Sequence, residues 1–161
     1  YGLVENPVEL SLVELRALGK KTQITLHHCI QGWSGIAEWG GLPVKDLIDL
    51  VRPRPNATAV AFYSFGEGVD FNTGLADGQY YDSLSIENAL NSQPKPAYEM
   101  NYEPLNDQHG APLRLRVENQ LGFKMVKWIQ AVEFVENVRV INKGEGGYAE
   151  DKEYFGELAN I

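Results

Sequence analysis

The stretch of sequence that decides the fold runs from residue 97 to residue 128 and reads AYEMNYEPLNDQHGAPLRLRVENQLGFKMVKW. Its centre, residues 113–117, alternates apolar and basic residues, which predicts a half-buried β-strand. Arg114 and Arg116 then lie on one face of that strand. Residues 106–110 before it are polar and end in glycine, which indicates a turn. The stretch therefore predicts a strand that carries two arginines directly after a polar turn.

The rest of the chain alternates between short helices and short strands. Helices are predicted at residues 11–18, where Ser11 and Glu14 have the spacing of a capping box, at 43–51 and at 85–90. Strands are predicted at residues 22–26, 58–65 (buried on both faces), 80–84, 97–101, 113–117, 126–135 and 138–141, with a turn at 39–43. This pattern predicts a mixed α+β fold, which we expect to form one domain over residues 1–161.

Composition and charge exclude some classes of function. The chain has 161 residues, 43% of them hydrophobic, which is typical of a globular domain with a real core. Its net charge of −8 argues against non-specific nucleic-acid binding, which requires clustered Lys and Arg. No apolar run approaches the roughly 18–20 residues that span a bilayer. These properties leave room for a local positive pocket, since 14 Lys and Arg remain to be placed.

Cys29 is the one cysteine of the sequence, so no disulfide within the chain is possible. It follows the strand predicted at residues 22–26 and the pair His27-His28, and a glycine-bearing loop comes after it. The end of a strand before such a loop is a common place for a residue that faces a ligand. A lone cysteine can be a nucleophile, a single metal ligand or simply a small buried packing residue. Position alone leaves these three alternatives open.

Three further residues are candidates for chemistry, and each also has a plain structural explanation. His109 could be a solvated turn residue, and Arg114 could belong to an exposed strand face. Lys127 beside Trp128 could be an amphipathic pair at a strand edge. The residue types alone therefore do not decide between a binding site and an ordinary surface.

Taken together, the motifs resemble the sulfite oxidase family of molybdenum–pterin oxidoreductases. The resemblance rests on Ala-Tyr-Glu-Met-Asn at residues 97–101, His-Gly-Ala-Pro-Leu-Arg at 109–114 and Val-Lys-Trp at 126–128. The spacings of 5 residues from His109 to Arg114 and 13 from Arg114 to Lys127 are also similar to those of the family. The loop from Cys29 to Ser34 is closest to the bacterial methionine sulfoxide reductase branch.

This resemblance implies a mixed-sheet sulfite-oxidase-type fold and a molybdenum–molybdopterin cofactor. In this family the metal is held by two dithiolene sulfurs of the pterin, oxo groups and one protein thiolate, for which Cys29 is the match. The implied activity is a two-electron oxygen-atom transfer on a small molecule such as sulfite or a sulfoxide. The alternative is a cofactor-free binding or structural module that keeps the fold without catalysis.

The resemblance also assigns residues to the cofactor. Arg114 and Lys127 match positions that grip the pterin phosphate, a task suited to charge-assisted hydrogen bonds. The backbone N–H groups of Met125 and Val126 are expected to join them, and His109 and Ser64 match positions beside the pterin.

Two assignments lie near the reacting centre. His28 is expected to orient the Cys29 thiolate or the cofactor, whereas His27 would point away and be structural. Tyr154 is the best match to the family's substrate tyrosine, with Tyr148 as its rival.

The resemblance finally implies what accompanies this chain. Tyr1 corresponds to the middle of the family fold, so we expect a missing N-terminal segment that also contacts the pterin. We therefore expect this fragment alone to retain cofactor poorly. A separate electron-transfer partner, either a heme protein or a quinone-linked subunit, is expected. The family suggests a periplasmic or membrane-associated protein of a bacterium, with any membrane contact made by segments outside this sequence.

Overall fold

The computed structural model describes residues 1–29, 31–69 and 76–141, which form an α+β fold as predicted. The helices are α1 (Leu12–Ala17), α2 (Val44–Val51) and α3 (Ile86–Ala89). The strands are β1 (Lys21–His28), β2 (Ser34–Gly41), β3 (Ala59–Val69), β4 (Ala76–Ser85), β5 (Lys95–Met100), β6 (Glu103–Pro104), β7 (Arg114–Arg116) and β8 (Ile129–Val135).

The strands form two sheets whose pairings are antiparallel. The first sheet has the order β1-β2-β5-β6, and β7 pairs with β5. The second has the order β4-β3-β8. A single parallel bridge joins Gly2 to Phe134. The first sheet carries β1 and β7, the two strands that hold the candidate cysteine and arginines.

The main core lies around β3 and α2. Residues 59–64 of β3 are all buried, as the sequence predicts for a strand covered on both faces. The apolar positions of α2 are also buried, at Val44, Leu47, Ile48 and Val51. Together with Phe62 and Leu115, which are fully buried, they form one continuous cluster that links the sheets.

Local signals located the helices well. At α1 the Ser11 side chain accepts a hydrogen bond from the Glu14 backbone and the Glu14 side chain reaches back, so the capping box is confirmed. Helix α2 covers the predicted residues, although Pro43 stands at the N-cap and not inside the helix. Ser85 caps α3 through its side chain.

Within residues 1–29, 31–69 and 76–141, no helix combines the length and apolar character needed to cross a membrane.

The turn predicted at residues 39–43 was wrong, because β2 continues to Gly41. Gly41 serves a close approach of strands and not a turn. A Cβ atom on Gly41 would lie 2.2 Å from the Pro96 carbonyl oxygen and 2.7 Å from the Ala97 Cα atom of β5. The pairing also shifts register between Gly40 and Gly41, as at a β-bulge.

Two further strand predictions were wrong. Strand β7 is buried at all three positions and not half-buried, because its arginines face a cavity and not the outer surface of the sheet. Residues 138–140 form a 3-10 turn in place of a strand. The Asn137 side chain accepts a hydrogen bond from the Arg139 backbone at 2.9 Å, and this local bond favours the turn.

Candidate functional site

A cavity of about 990 Å³ lies between the β1–β2 hairpin, the end of β7 and the segment after it. It brings together four residues that the sequence singled out, Cys29, His109, Arg114 and Lys127. Its apolar part is formed by Trp33, Ile36, Tyr80, Met100 and Phe123. The cavity thus has a cationic wall, one thiol and an apolar rim.

Strand β1 and the turn after it position Cys29. The Cys29 N–H donates to the Trp33 carbonyl at 3.0 Å, and the Gly32 N–H donates to the Cys29 carbonyl at 2.9 Å. Gly32 has a φ of +87°, a conformation that favours glycine. This tight turn holds Cys29, a free thiol, at the cavity wall.

The histidine that lines the cavity beside Cys29 is His27 and not His28. The assignment of faces made from the sequence was therefore wrong, because alternation along a strand puts residues 27 and 29 on one side. His27 packs against Trp33 with ring centroids 5.2 Å apart. Burial and the nearby Arg116 and Arg114 lower the pKa of His27 to about 4. His28 lies on the opposite face, where its Nδ1 is 3.0 Å from the Ser34 hydroxyl.

Arg114 is a buried cation with few partners. Its Nη1 donates to the His109 carbonyl at 3.3 Å, whereas its Nε has no hydrogen-bond partner among the described residues. Its guanidinium lies 5.0 Å from the centre of the Trp39 ring. Burial, followed by the charge of Arg116, lowers the pKa of Arg114 to about 9. Such a group is ready to receive an anion, which would supply both the missing acceptor and the missing charge.

Lys127 is the second cation of this wall. Its Nζ donates to the Gln108 carbonyl at 2.7 Å, and burial, together with Arg114, lowers the pKa of Lys127. Gly110 allows it to sit there, because a Cβ atom on that glycine would lie 2.9 Å from the Lys127 Cγ atom. In residues 1–29, 31–69 and 76–141, neither Lys127 nor Arg114 has a carboxylate within 4.0 Å. His109 closes this end of the cavity, with Nδ1 at 2.8 Å from the Asn106 side-chain oxygen.

Sequence reasoning missed the inner wall of the cavity, which is lined by Arg116 and Trp39, with Glu118 behind Arg116. Arg116 is buried and makes two hydrogen bonds of 2.7 Å to Glu118, while its guanidinium stacks 4.1 Å from the centre of the Trp39 ring. The Trp39 Nε1 is a buried donor for which the described part of the chain offers no acceptor. The spacing of Arg114, Arg116 and Glu118 was the available signal, because side chains two apart share a face.

Three other predicted site residues, Ser64, Met125 and Val126, do not line the cavity. Ser64 is buried, and its hydroxyl donates to the Gly66 carbonyl at 2.8 Å. The backbone N–H groups of Met125 and Val126 both donate to carbonyls of the preceding turn at 3.1 Å. Tyr154 and its rival Tyr148 lie outside the described residues. The roles assigned to these residues therefore stay predictions.

Residues 1–140 match the family model described as the oxidoreductase molybdopterin binding domain. Among curated proteins, the chain is 34% identical over 153 residues to a putative protein-methionine-sulfoxide reductase subunit YedZ1 of Azospira oryzae, with 95% of this chain and 52% of that protein covered. It is 33% identical over 142 residues to the protein-methionine-sulfoxide reductase catalytic subunit MsrP of Gluconobacter oxydans, with 84% of this chain and 46% of that protein covered. The chain thus spans about half the length of the curated relatives it matches.

A solved structure supports the fold. The sulfane dehydrogenase SoxCD of Paracoccus pantotrophus superposes with a TM-score of 0.70 at 22% sequence identity. The match covers 84% of this chain and 37% of that one. At this level of identity the comparison concerns the fold alone.

Proposed function

The chain belongs to the oxidoreductase molybdopterin-binding domain family, and from this premise we propose that it forms the cofactor-binding part of an enzyme that reduces sulfoxides by oxygen-atom transfer. The observation that carries the proposal is the cavity in which Cys29 meets His109, Arg114 and Lys127. These residues come from separate parts of the chain. A thiol could bind the metal and two neighbouring cations the pterin phosphate, whereas packing alone would not require this combination.

The chemistry of the cavity fits that cofactor. A pterin phosphate needs cations and hydrogen-bond donors, and the described residues offer the Arg114 and Lys127 charges together with a buried Arg114 Nε that lacks an acceptor. The Trp39 Nε1 is a second orphaned donor on the same wall. A buried donor without a partner costs roughly 1–3 kcal/mol, so a ligand that accepts from these atoms would be retained.

Each residue then has a task in binding and orientation. Cys29, as a thiolate, would be the protein ligand to molybdenum, since a soft sulfur donor suits this metal. Arg114 and Lys127 would hold the phosphate, and His109 would contact the pterin. The bound molybdenum–pterin group supplies the two-electron oxygen-atom transfer itself. The protein contributes position, charge and exclusion of water.

The apolar rim supports a sulfoxide as substrate. Trp33, Phe123 and Met100 border the cavity and would pack against the carbon substituents of a sulfoxide, and sulfur makes favourable contacts with aromatic rings. Several relatives are named as protein-methionine-sulfoxide reductase subunits, which agrees with this substrate class. Sulfite has no carbon substituents and would gain nothing from such a rim.

Reduction of a sulfoxide consumes two electrons and two protons and releases a thioether and water. The electrons have to come from a separate donor, for which we propose a heme protein or a quinone-linked subunit. The relatives named as subunits are consistent with such a division of labour.

Metal and pterin analysis of the full-length protein tests the cofactor assignment. We expect molybdenum close to one atom per chain in the wild type, and a loss of at least about tenfold in Cys29→Ser with an unchanged fold. Retention of molybdenum by Cys29→Ser would contradict the ligand assignment. The matched control is Ser34→Ala, which alters the same loop without touching the thiol.

A paired assay tests the substrate class. The same preparation is given a sulfoxide with a reduced dye and sulfite with an oxidised dye. We expect kcat/KM for the sulfoxide to exceed that for sulfite by at least about a hundredfold, a ratio that corresponds to about 2.7 kcal/mol of transition-state binding. Faster turnover of sulfite would contradict the sulfoxide assignment while leaving the cofactor assignment intact.

A further inference from the structure

Arg116 and Glu118 form a buried ion pair at the inner wall of the cavity. The Arg116 side chain is 1% exposed and the Glu118 side chain 5%. Glu118 engages the Nε and Nη2 atoms of Arg116 at 2.7 Å each, in a bidentate arrangement. Arg116 lines the cavity, whereas Glu118 is not among its lining residues. Glu118 therefore holds the guanidinium from behind the wall.

Without Glu118, Arg116 would be a strong anion-binding group. A guanidinium offers a planar fork of donors that matches carboxylates, phosphates and sulfur oxyanions. In the folded protein this fork is occupied by Glu118, its face is stacked on Trp39, and its Nη2 is 3.4 Å from the His27 Nδ1. Its charge and its best hydrogen-bonding edge are therefore already in use.

The charges around the pair make this neutralisation consequential. Lys95 lies directly opposite Arg116 in the β5–β7 pairing and is also buried. Burial lowers the pKa of Lys95 to about 8, and Glu118 opposes this shift. Among the described residues, Glu118 is thus the carboxylate that balances the charges of two buried cations, Arg116 and Lys95.

A count of cations shows what remains for a substrate. Among the described residues, Arg114 and Lys127 lack a carboxylate partner, and under the proposed function they would bind the pterin phosphate. Arg116 is the third cation that lines the described cavity, and Glu118 cancels it. A sulfoxide, which is neutral, needs no further cation, whereas sulfite or sulfate would have to enter without one.

We propose that Glu118 is a specificity-determining positioning residue, which masks Arg116 so that the cavity accepts a neutral sulfoxide and rejects a second anion. The proposal rests on the proposed function for the identity of the substrate, but the masking itself concerns only this chain's residues. Removal of Glu118 would unmask Arg116 and create an oxyanion site beside the cofactor.

The test uses full-length protein loaded with cofactor, so that the phosphate site is filled, and sulfate as the probe. In Glu118→Gln we expect the inhibition constant of sulfate, as a competitor of the sulfoxide, to fall at least about tenfold relative to the wild type, as for one new charge-assisted hydrogen bond. Sulfate at tenfold excess over its dissociation constant should raise the melting temperature of this variant by about 4 °C and leave the wild type unchanged.

The matched control is the double variant Arg116→Gln with Glu118→Gln, which removes the anion-binding group together with its mask. We expect sulfate to have no more effect on it than on the wild type. Equal effects of sulfate on Glu118→Gln and on this control would overturn the proposal, because the anion would then bind elsewhere. An unchanged inhibition constant and melting temperature in Glu118→Gln would overturn it as well.

A second variant keeps the test decisive if Glu118→Gln does not fold. Glu118→Asp retains the charge but shortens the side chain, so it cannot keep both hydrogen bonds. We expect it to lower the inhibition constant of sulfate by about threefold, and an unchanged constant would contradict the masking role. Molybdenum content is measured on the same preparations. A protein without metal would fail the proposed function. Sulfate could then also bind Arg114 and Lys127, so the mask would be measured as the difference in the melting shift between Glu118→Gln and the double variant, which share that site.

Discussion

Arg114 and Arg116 are two residues apart on one strand face, yet their environments are opposite. Arg116 has a bidentate carboxylate partner. Among the described residues, Arg114 has one hydrogen bond, to the His109 carbonyl, and an unsatisfied Nε. A buried cation costs several kcal/mol unless a partner compensates it. We infer that Arg114 lowers the stability of the unloaded protein and serves to bind a ligand. The buried charge of Arg116, in contrast, is compensated by Glu118.

This contrast predicts opposite effects on stability. Arg114→Met should raise the free energy of unfolding of the cofactor-free protein by about 1–2 kcal/mol, because it removes an uncompensated buried charge. It should also lower the pterin content of the loaded protein at least about tenfold. Urea unfolding and pterin quantification provide the two measurements.

Arg116→Met is the matched comparison. It should lower the free energy of unfolding by about 3 kcal/mol, because it leaves Glu118 buried and without its partner. A loss of stability of the same size in both variants would refute the distinction between a ligand-binding and a partnered arginine.

At the level of elements, the hairpin of β1 and β2 depends on close contact with β5. The backbone of β5 occupies the space that a side chain at Gly41 would need. Gly35 lies on the same strand, and a Cβ atom there would have nothing within 4 Å. Gly41 and Gly35 thus have different reasons to be in β2.

Alanine substitution separates these reasons. Gly41→Ala should cost about 3 kcal/mol of unfolding free energy, since the clash is with backbone atoms that cannot move aside. Gly35→Ala should change stability by less than about 0.5 kcal/mol. Thermal unfolding of the two variants checks this, and a tolerant Gly41 would show that the strands are not packed as described.

The buried Lys95 of β5 predicts a dependence of stability on pH. Its pKa in the folded state is about 8, below the ordinary value of 10.5, so from pH 8 to 10.5 the unfolded chain binds more protons and the free energy of unfolding rises with pH. Below pH 8 the lysine is charged in both states, and its burial cost is fully present.

Lys95→Met should therefore be more stable than the wild type at pH 7 and should show a smaller rise in stability between pH 8 and 10.5. Chemical unfolding across this range measures both effects. Identical pH profiles in the two proteins would show that Lys95 does not titrate as stated.

The sequence predicted elements best where a local signal sufficed. The capping box of Ser11 and Glu14 and the apolar run of β3 located their elements. The family resemblance singled out His109, Arg114 and Lys127, which line one cavity, while their roles stay predictions. The continuation of β2 through Gly41 depends on contact with β5, a segment more than 50 residues away. A prediction from neighbouring residues alone cannot include that contact, and it assigned Gly-Gly to a turn. Glu118 was missed because its role depends on the burial of Arg116, which the alternating pattern of β7 does not reveal.

Across the whole molecule, two antiparallel sheets and the segments between them converge on one cavity. β1 brings the thiol, β7 the arginines, and the segment after β7 brings Lys127. Because these parts are distant in sequence, the cavity exists only in the folded chain. The chain spans about half the length of the curated relatives that it matches.

The central claim is that Cys29 joins a molybdenum–pterin group in this cavity. The most direct measurement is the molybdenum X-ray absorption spectrum of the full-length protein, which counts the sulfur atoms bound to the metal. We predict three sulfur neighbours in the wild type, two from the pterin and one from Cys29. In the small fraction of Cys29→Ser that retains metal, we predict two. Three sulfur neighbours in the serine variant, or two in the wild type, would contradict the account.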